Sequence, residues 1–230
     1  MDVDANAEQY ILLLLSDGNL PTGSFVASSG LESHVKHGFS KSSVTSTEKM
    51  IDFIHDSLHS YAHSALPFVT DAHVAVCQEF SAWNQTGDQA FERLECREQI
   101  IQLDALYDTM TLNHVARRAS KAQGVALLTL FAKGFSRPSW LESNESDNRR
   151  WSAISSFINH IKLDIRSETT HGYLPVCWGV LTGVLGLSVG QCVYYTSADC
   201  LTLLYILSQS AVNTSTYSYM HAHYYQPPSA

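Results

Sequence analysis

Apolar residues along this chain recur at intervals of three and four, the signature of helices that bury one face. Met50, Ile51, Phe53, Ile54 and Leu58 share such a face behind the cap candidates Ser46 and Thr47, with Glu48 following. Pro67 opens a second run in which Phe68, Val69, Ala72, Val76 and Phe80 keep the spacing. Asn84 to Asp88 reads NQTGD, a turn signal. From Asp88 a long helix is expected with Phe91, Leu94, Ile101, Leu103 and Leu106 inward, running to or breaking near Asn113. A further helix covers Val115 to Ala132, and Gly134 is its stop. Ser136 to Asn148 is polar and rich in turn formers, which predicts a surface loop. Trp151, Ile154, Phe157, Ile158 and Ile161 then make another amphipathic stripe. Leu174–Leu187 and Cys192–Leu207 are apolar on most sides, which predicts a buried helix pair near the C-terminal end. No run alternates with period two for long, so strands are not expected. The pattern predicts an all-α fold: one compact domain over residues 1–212, of roughly eight to ten helices at ordinary helix lengths. Residues 213–230 carry no helical stripe and are expected to form a disordered tail.

Composition narrows the class. Hydrophobic residues make up 45% and charged residues 16%, which is incompatible with global disorder. The net charge of −8 argues against free nucleic acid as a partner, because that binding is driven by basic surface. The 5 cysteines include no C-x-x-C pair and are odd in number, so reduced thiols are expected rather than a disulfide framework. The segment MDVDANAEQY places acid ahead of its apolar run, opposite to a secretory signal, and a cytoplasmic location is expected. All 14 Lys and Arg lie at or before Arg166, and Gly172 to Ala198 carries no formal charge. That apolar stretch raises one alternative, a membrane-embedded helical protein using the spacings Gly179/Gly183 and Gly186/Gly190. Pro175, Gly190 and Gln191 interrupt it, and a core helix pair packed closely through small residues is the preferred reading.

The motifs of catalysis are absent. There is no G-x-x-x-x-G-K-[ST], no G-x-G-x-x-G, no H-E-x-x-H and no G-x-S-x-G, and nothing groups the plentiful Ser, His and Asp, which leaves a nucleophilic enzyme open but unsupported. His55, His59 and His63 are spaced i, i+4, i+8, and neighbouring pairs could chelate nickel or zinc. A stand-alone His-rich metal-binding protein is therefore a second alternative. A polar stripe on a solvated helix explains the same spacing, and two His alone leave a coordination shell incomplete. The pairs His34/His37 and His221/His223 carry less still. Arg117, Arg118 and Lys121 form the one dense basic cluster, and spacing alone favours a solvated face over a docking patch for an acidic partner or an arginine offered to a partner's nucleotide.

Three segments resemble one family, the urease accessory protein F (UreF) family. In SDGNLPTGSFVASSGLE the matching positions are Leu14, Ser16, Asp17, Pro21, Gly23, Phe25, Ser28, Gly30, Leu31 and Glu32. Between Asn113 and Leu128 they are Arg117, Ser120, Gln123, Gly124, Leu127 and Leu128, and the third segment runs from His171-Gly-Tyr-Leu-Pro175 to Gly186-Leu187. The resemblance implies an all-α accessory protein without catalysis or a cofactor of its own. It implies a homodimer that bridges the urease scaffold protein of the UreD/UreH type and the nickel-carrying GTPase UreG. That assembly delivers nickel to apo-urease, and the F protein regulates or couples GTP hydrolysis. Carried over, the partner-facing residues are Pro21, Gly23, Ser24, Phe25, Glu32, Arg117 and Gln123. Gly30, Gly124 and Gly186 would be structural, and His171 either structural or lining a nickel route. The chain departs from the family pattern after Ser210-Ala-Val-Asn213, where TSTYSYMHAHYYQPPSA follows, and a truncated or alternatively spliced product is the expectation this raises.

Overall fold

The computed structural model describes Ile11, His37 and residues 46–86, 94–134 and 145–192. Six α-helices account for most of them, and no strand occurs among the described residues. They are α1 (Ser46–Ser64), α2 (Leu66–Thr86), α3 (Leu94–Met110), α4 (His114–Gly134), α5 (Glu145–Arg166) and α6 (Leu174–Leu185). The range of eight to ten referred to the whole chain. Only Cys192 of the expected last helix, Cys192–Leu207, is described, and the tail from residue 213 lies outside the described residues. The fold divides into two compact units, with Ile11 and Tyr61–Cys192 in one and His37 and Ser46–Ser60 in the other.

In the smaller unit, Phe53 is buried while Ile51 is 59% exposed, so the apolar stripe of α1 is only partly used there. The larger unit is organised around α6. Its sequence LPVCWGVLTGVL has no charged residue, and 10 of its 12 residues, Pro175 to Val184, are buried. Each fully buried Val or Leu side chain contributes roughly 1.5–3 kcal/mol. Helices α2, α4 and α3 pack against α6, α3 also lies on α2, and α5 lies on α4. The core takes Val69, Ala72 and Val76 from α2, Ile100 from α3, Leu127, Leu128 and Phe131 from α4, and Ile154, Phe157, Ile158 and Ile161 from α5.

Gly179 and Gly183 set how closely α2 and α6 approach. A Cβ on Gly179 would fall inside contact distance of the Val69 carbonyl and 2.8 Å from Ala72 Cβ, and one on Gly183 would lie 2.9 Å from Val76 Cβ. The spacing is thus a helix-packing seam. The second spacing, Gly186/Gly190, is not. Gly186 ends α6 in the left-handed region (φ 76°), where its N–H donates to Gly183 O and the Leu187 N–H donates to Thr182 O. Gly190 has open space where a Cβ would stand. Among the described residues no helix is long and apolar enough to cross a membrane.

Two expectations need correction. Leu106, placed inward on α3, is 52% exposed, and Cys96, Ile100 and Asp104 are buried instead. The apolar arc of α3 is wide enough to allow either rotation, and capping by Asp104, described below, selects this one. The loop expected over 136–148 is shorter at its end, because α5 begins at Glu145. ESDN carries helix-starting acid and polar residues that serve a first turn as readily as a loop.

Candidate functional site

Among the described residues of the larger unit, the most connected polar cluster joins α3, α4 and the segment Ser167–Tyr173 that leads into α6. It begins with Asp104, a carboxylate 1% exposed. Its Oδ2 accepts from Thr170 Oγ1 (2.6 Å), His171 N (2.6 Å) and Gly172 N (3.0 Å), and its Oδ1 accepts from Tyr173 N (2.8 Å). A buried charge is tolerated when its lone pairs are filled this fully. Sitting at the start of α6, it also meets the positive end of that helix. Gly172 has φ 74°, the left-handed region that favours glycine, and a Cβ there would also press on Ile165 Cδ1, the movable end of that side chain.

Asp108, one turn further along α3, organises the outer half of the cluster. It accepts from the Tyr173 hydroxyl and from Arg117 Nη2 (2.7 Å), with Lys121 Nζ and His171 Nε2 each at 3.7 Å. The Tyr173 hydrogen bond is the main reason its carboxyl is held below the usual range. His171, Arg117 and Lys121 add to that, and partial burial opposes it. Burial and the Asp108 charge push the Tyr173 phenol up. Arg117 Nη2 also donates to the Asp108 carbonyl (2.6 Å), while its Nε is buried without a partner. Tyr173 packs between Tyr107 (ring centroids 5.0 Å) and His171 (5.7 Å), and Lys121 Nζ lies 5.1 Å from its ring centre.

Helix α4 is fastened to the same turn. Asn113 Oδ1 accepts from Val115 N (2.9 Å) and Ala116 N (3.3 Å), capping the helix start. Ser120 Oγ accepts from Leu174 N at 3.1 Å. At Gly124 the backbone of Gly172 comes so close that a Cβ would overlap its carbonyl and stand 3.0 Å from Leu174 N.

The structure therefore brings Arg117, Gly124 and His171 together. Arg117 is a half-buried, ion-paired residue here, and Gln123 stands half-buried on the same helix. Gly186 stands apart as the cap of α6. Pro21, Gly23, Ser24, Phe25, Gly30 and Glu32 lie outside the described residues. His55 and His59 are exposed, with ring centroids 6.5 Å apart and His55 beside Asp56. Among the described residues no group of three or more His, Cys, Asp or Glu could hold a metal ion. Asp104 and Asp108, which hold the cluster together, were missed at the level of the sequence. Their signal was two carboxylates at i, i+4 within the otherwise apolar register of α3.

A second polar group lies inside the core. His73, fully buried on α2, has Nδ1 3.0 Å from Thr182 Oγ1 and Nε2 3.4 Å from Cys77 Sγ, and Thr182 Oγ1 is 3.1 Å from Cys192 Sγ. Burial lowers the His73 pKa, against a weaker opposing hydrogen bond to the Leu187 backbone. Burial likewise pushes up the thiols of Cys77, Cys96 (to about 12) and Cys177, so none of the three is poised as a nucleophile.

The sequence profile of the UreF family matches residues 44–201. The chain is 36% identical over 209 residues to urease accessory protein 6 of Cryptococcus neoformans var. grubii, covering 81% of this chain and 66% of that protein. It is 26% identical over 191 residues to an uncharacterized urease accessory protein UreF-like of Schizosaccharomyces pombe, covering 83% and 66%. Against urease accessory protein F of Oryza sativa it is 32% identical over 121 residues, covering 53% and 38%. The chain thus spans 66% of the length of each fungal relative. No solved structure matches it.

Proposed function

The chain belongs to the UreF family of urease accessory proteins, and from that we propose that it serves urease maturation as a docking component rather than as an enzyme. It would work in the cytoplasm, bridge the scaffold accessory protein of the UreD/UreH type and the nickel-carrying GTPase UreG, and couple GTP hydrolysis to nickel transfer into apo-urease, as a homodimer in that complex. Nickel is cargo of the assembly, and the chain needs no cofactor of its own.

The observation that carries this reading is the family match across 44–201, which contains every element of the Asp104–Asp108 cluster. What the cluster supports is a rigid junction. Four groups hold Asp104, and Asp108 gathers Arg117, Lys121, His171 and Tyr173, so that α3, α4 and the start of α6 are tied to one another. A component that holds two partners at once is served by such a body, because it keeps the docking faces in a fixed relation to each other.

The test is genetic and biochemical. Deleting the gene is expected to abolish urease activity while apo-urease still accumulates, and the intact chain is expected to restore it and to co-purify scaffold and GTPase. Unchanged urease activity in the deletion strain would refute the proposal.

A further inference from the structure

Eight large apolar side chains are prominently exposed among the described residues, and four of them lie between residues 106 and 115. Leu106 is 52% exposed, Met110 55%, Leu112 89% and Val115 62%. They belong to the corner joining α3 to α4, where one short connection, Thr111–Asn113, holds them together. Nor is the corner a loose loop. Asn113 caps α4 through two N–H groups, and Arg117 reaches back to the Asp108 carbonyl and carboxylate. The apolar side chains are thus displayed by fixed backbone, and a displayed apolar patch of this kind marks an interaction surface. The patch continues in two directions. Leu106 joins a shallow groove between α2 and α3 lined by Ala75, Gln99, Gln102 and Leu103, with Asp71 as its one carboxylate. Along α4 the outward positions Val115, Arg118, Ala122 and Val125 repeat at three and four, and all are exposed.

Charge says what fits there. Helix α4 carries His114, Arg117, Arg118, Lys121 and Lys133 and no Asp or Glu, in a chain whose net charge is −8. Asp104 is engaged in the turn and Asp108 with Tyr173, Arg117 and Lys121, while Arg118 stands exposed beside the apolar side chains. We propose that the α3–α4 corner is a docking surface for an acidic amphipathic helix of another protein, its apolar face on Leu106, Met110, Leu112 and Val115 and its carboxylates toward Arg118. This rests on the reading that the chain acts by docking partners. A second copy fits less well, because the same corner offers no acidic stripe and a two-fold contact centred on Arg118 would set that cation against its own copy. An anionic membrane fits poorly too, since a body of net charge −8 is repelled by it and the corner offers no Trp or Phe to anchor in a headgroup layer.

The probe is a labelled designed helix of about 18 residues with Leu at positions three and four apart and Glu elsewhere, long enough to hold helical form. Fluorescence anisotropy is read with the full chain, with Leu112→Asp and with Arg118→Glu, whose side chains are exposed and whose folding circular dichroism would check. The expected result is binding that weakens at least about tenfold in each variant and falls with added salt. Arg118→Glu is also expected to regain affinity for the counterpart peptide with Lys in place of Glu. No binding of the Glu peptide, equal binding of the Lys peptide by the unaltered chain, indifference to both substitutions, or tighter association with phosphatidylserine vesicles overturns the proposal. Complementation of a deletion strain separates the two readings. The unaltered chain failing to restore urease activity sinks the urease role and leaves the peptide result standing. Both variants restoring it fully sinks the docking surface and leaves the urease role standing.

Discussion

Asp104 shows how much one side chain can carry. It satisfies three backbone N–H groups and one hydroxyl in a turn that no regular ladder could satisfy. Replacing it with Asn turns one acceptor into a donor facing N–H groups, and Asp104→Asn is expected to cost about 3 kcal/mol in urea unfolding. Asp108→Asn, at a site 24% exposed, should cost only about 1 kcal/mol. Equal costs for the two would show that the turn does not depend on Asp104. His73 gives a pH signature. Its pKa is lowered in the folded state, so the unfolded chain binds more protons once pH falls below about 6.5. The contribution of His73 to stability is therefore complete above that pH and is lost as pH falls toward the folded pKa. Urea midpoints are expected to drop between about pH 7 and 5, and His73→Gln to flatten part of that slope. An unchanged slope in the variant would assign the acid sensitivity elsewhere.

At the scale of elements, the closest helix contact is written in glycine. Gly179→Ala forces a methyl into the Val69 carbonyl and Ala72 of α2, and an overpacked seam of this kind costs about 1–3 kcal/mol. Gly190→Ala meets nothing and should stay within about 0.5 kcal/mol of the parent. Thermal unfolding of the two variants decides it. Equal shifts would mean the α2–α6 seam is not the reason Gly179 stands where it does. The apolar stripe of α5 was legible in the sequence, since Ile154, Phe157, Ile158 and Ile161 are all buried. The rotation of α3 was not, because two apolar arcs overlap on it. The deciding group is Asp104, whose four donors come from residues 66 to 69 positions away. A hydrophobic pattern treats such a carboxylate as solvent-facing. The same is true of Asp164, 3% exposed on the inner stripe of α5 and paired with Arg97 of α3.

At the scale of the whole molecule, charge and apolar content are partitioned. The uncharged helix α6 occupies the centre of its unit, while the cations of α4 stand outside it. Cys96 and Cys177 lie in that centre on different helices, with both thiols pushed up by burial. Neither should react with a thiol reagent except through opening of the body. Their modification rates, followed by mass spectrometry under mild denaturant, are expected to converge and to track the unfolding equilibrium. A Cys96 that reacts much faster than Cys177 would reveal that α3 opens on its own.

The chain by itself determined its helical class, most helix faces and the centrality of Leu174–Leu185, because periodicity and apolar content depend only on neighbours in sequence. It also carried the family resemblance at Arg117, Gly124 and His171. Only the tertiary structure decided that Asp104 and Asp108 bring those residues to one junction, that Gly186 caps a helix while Gly179 and Gly183 pack one, and that Leu106 faces outward. Each of these depends on partners tens of residues away, and a contact of that kind exists only once the helices have been set against each other.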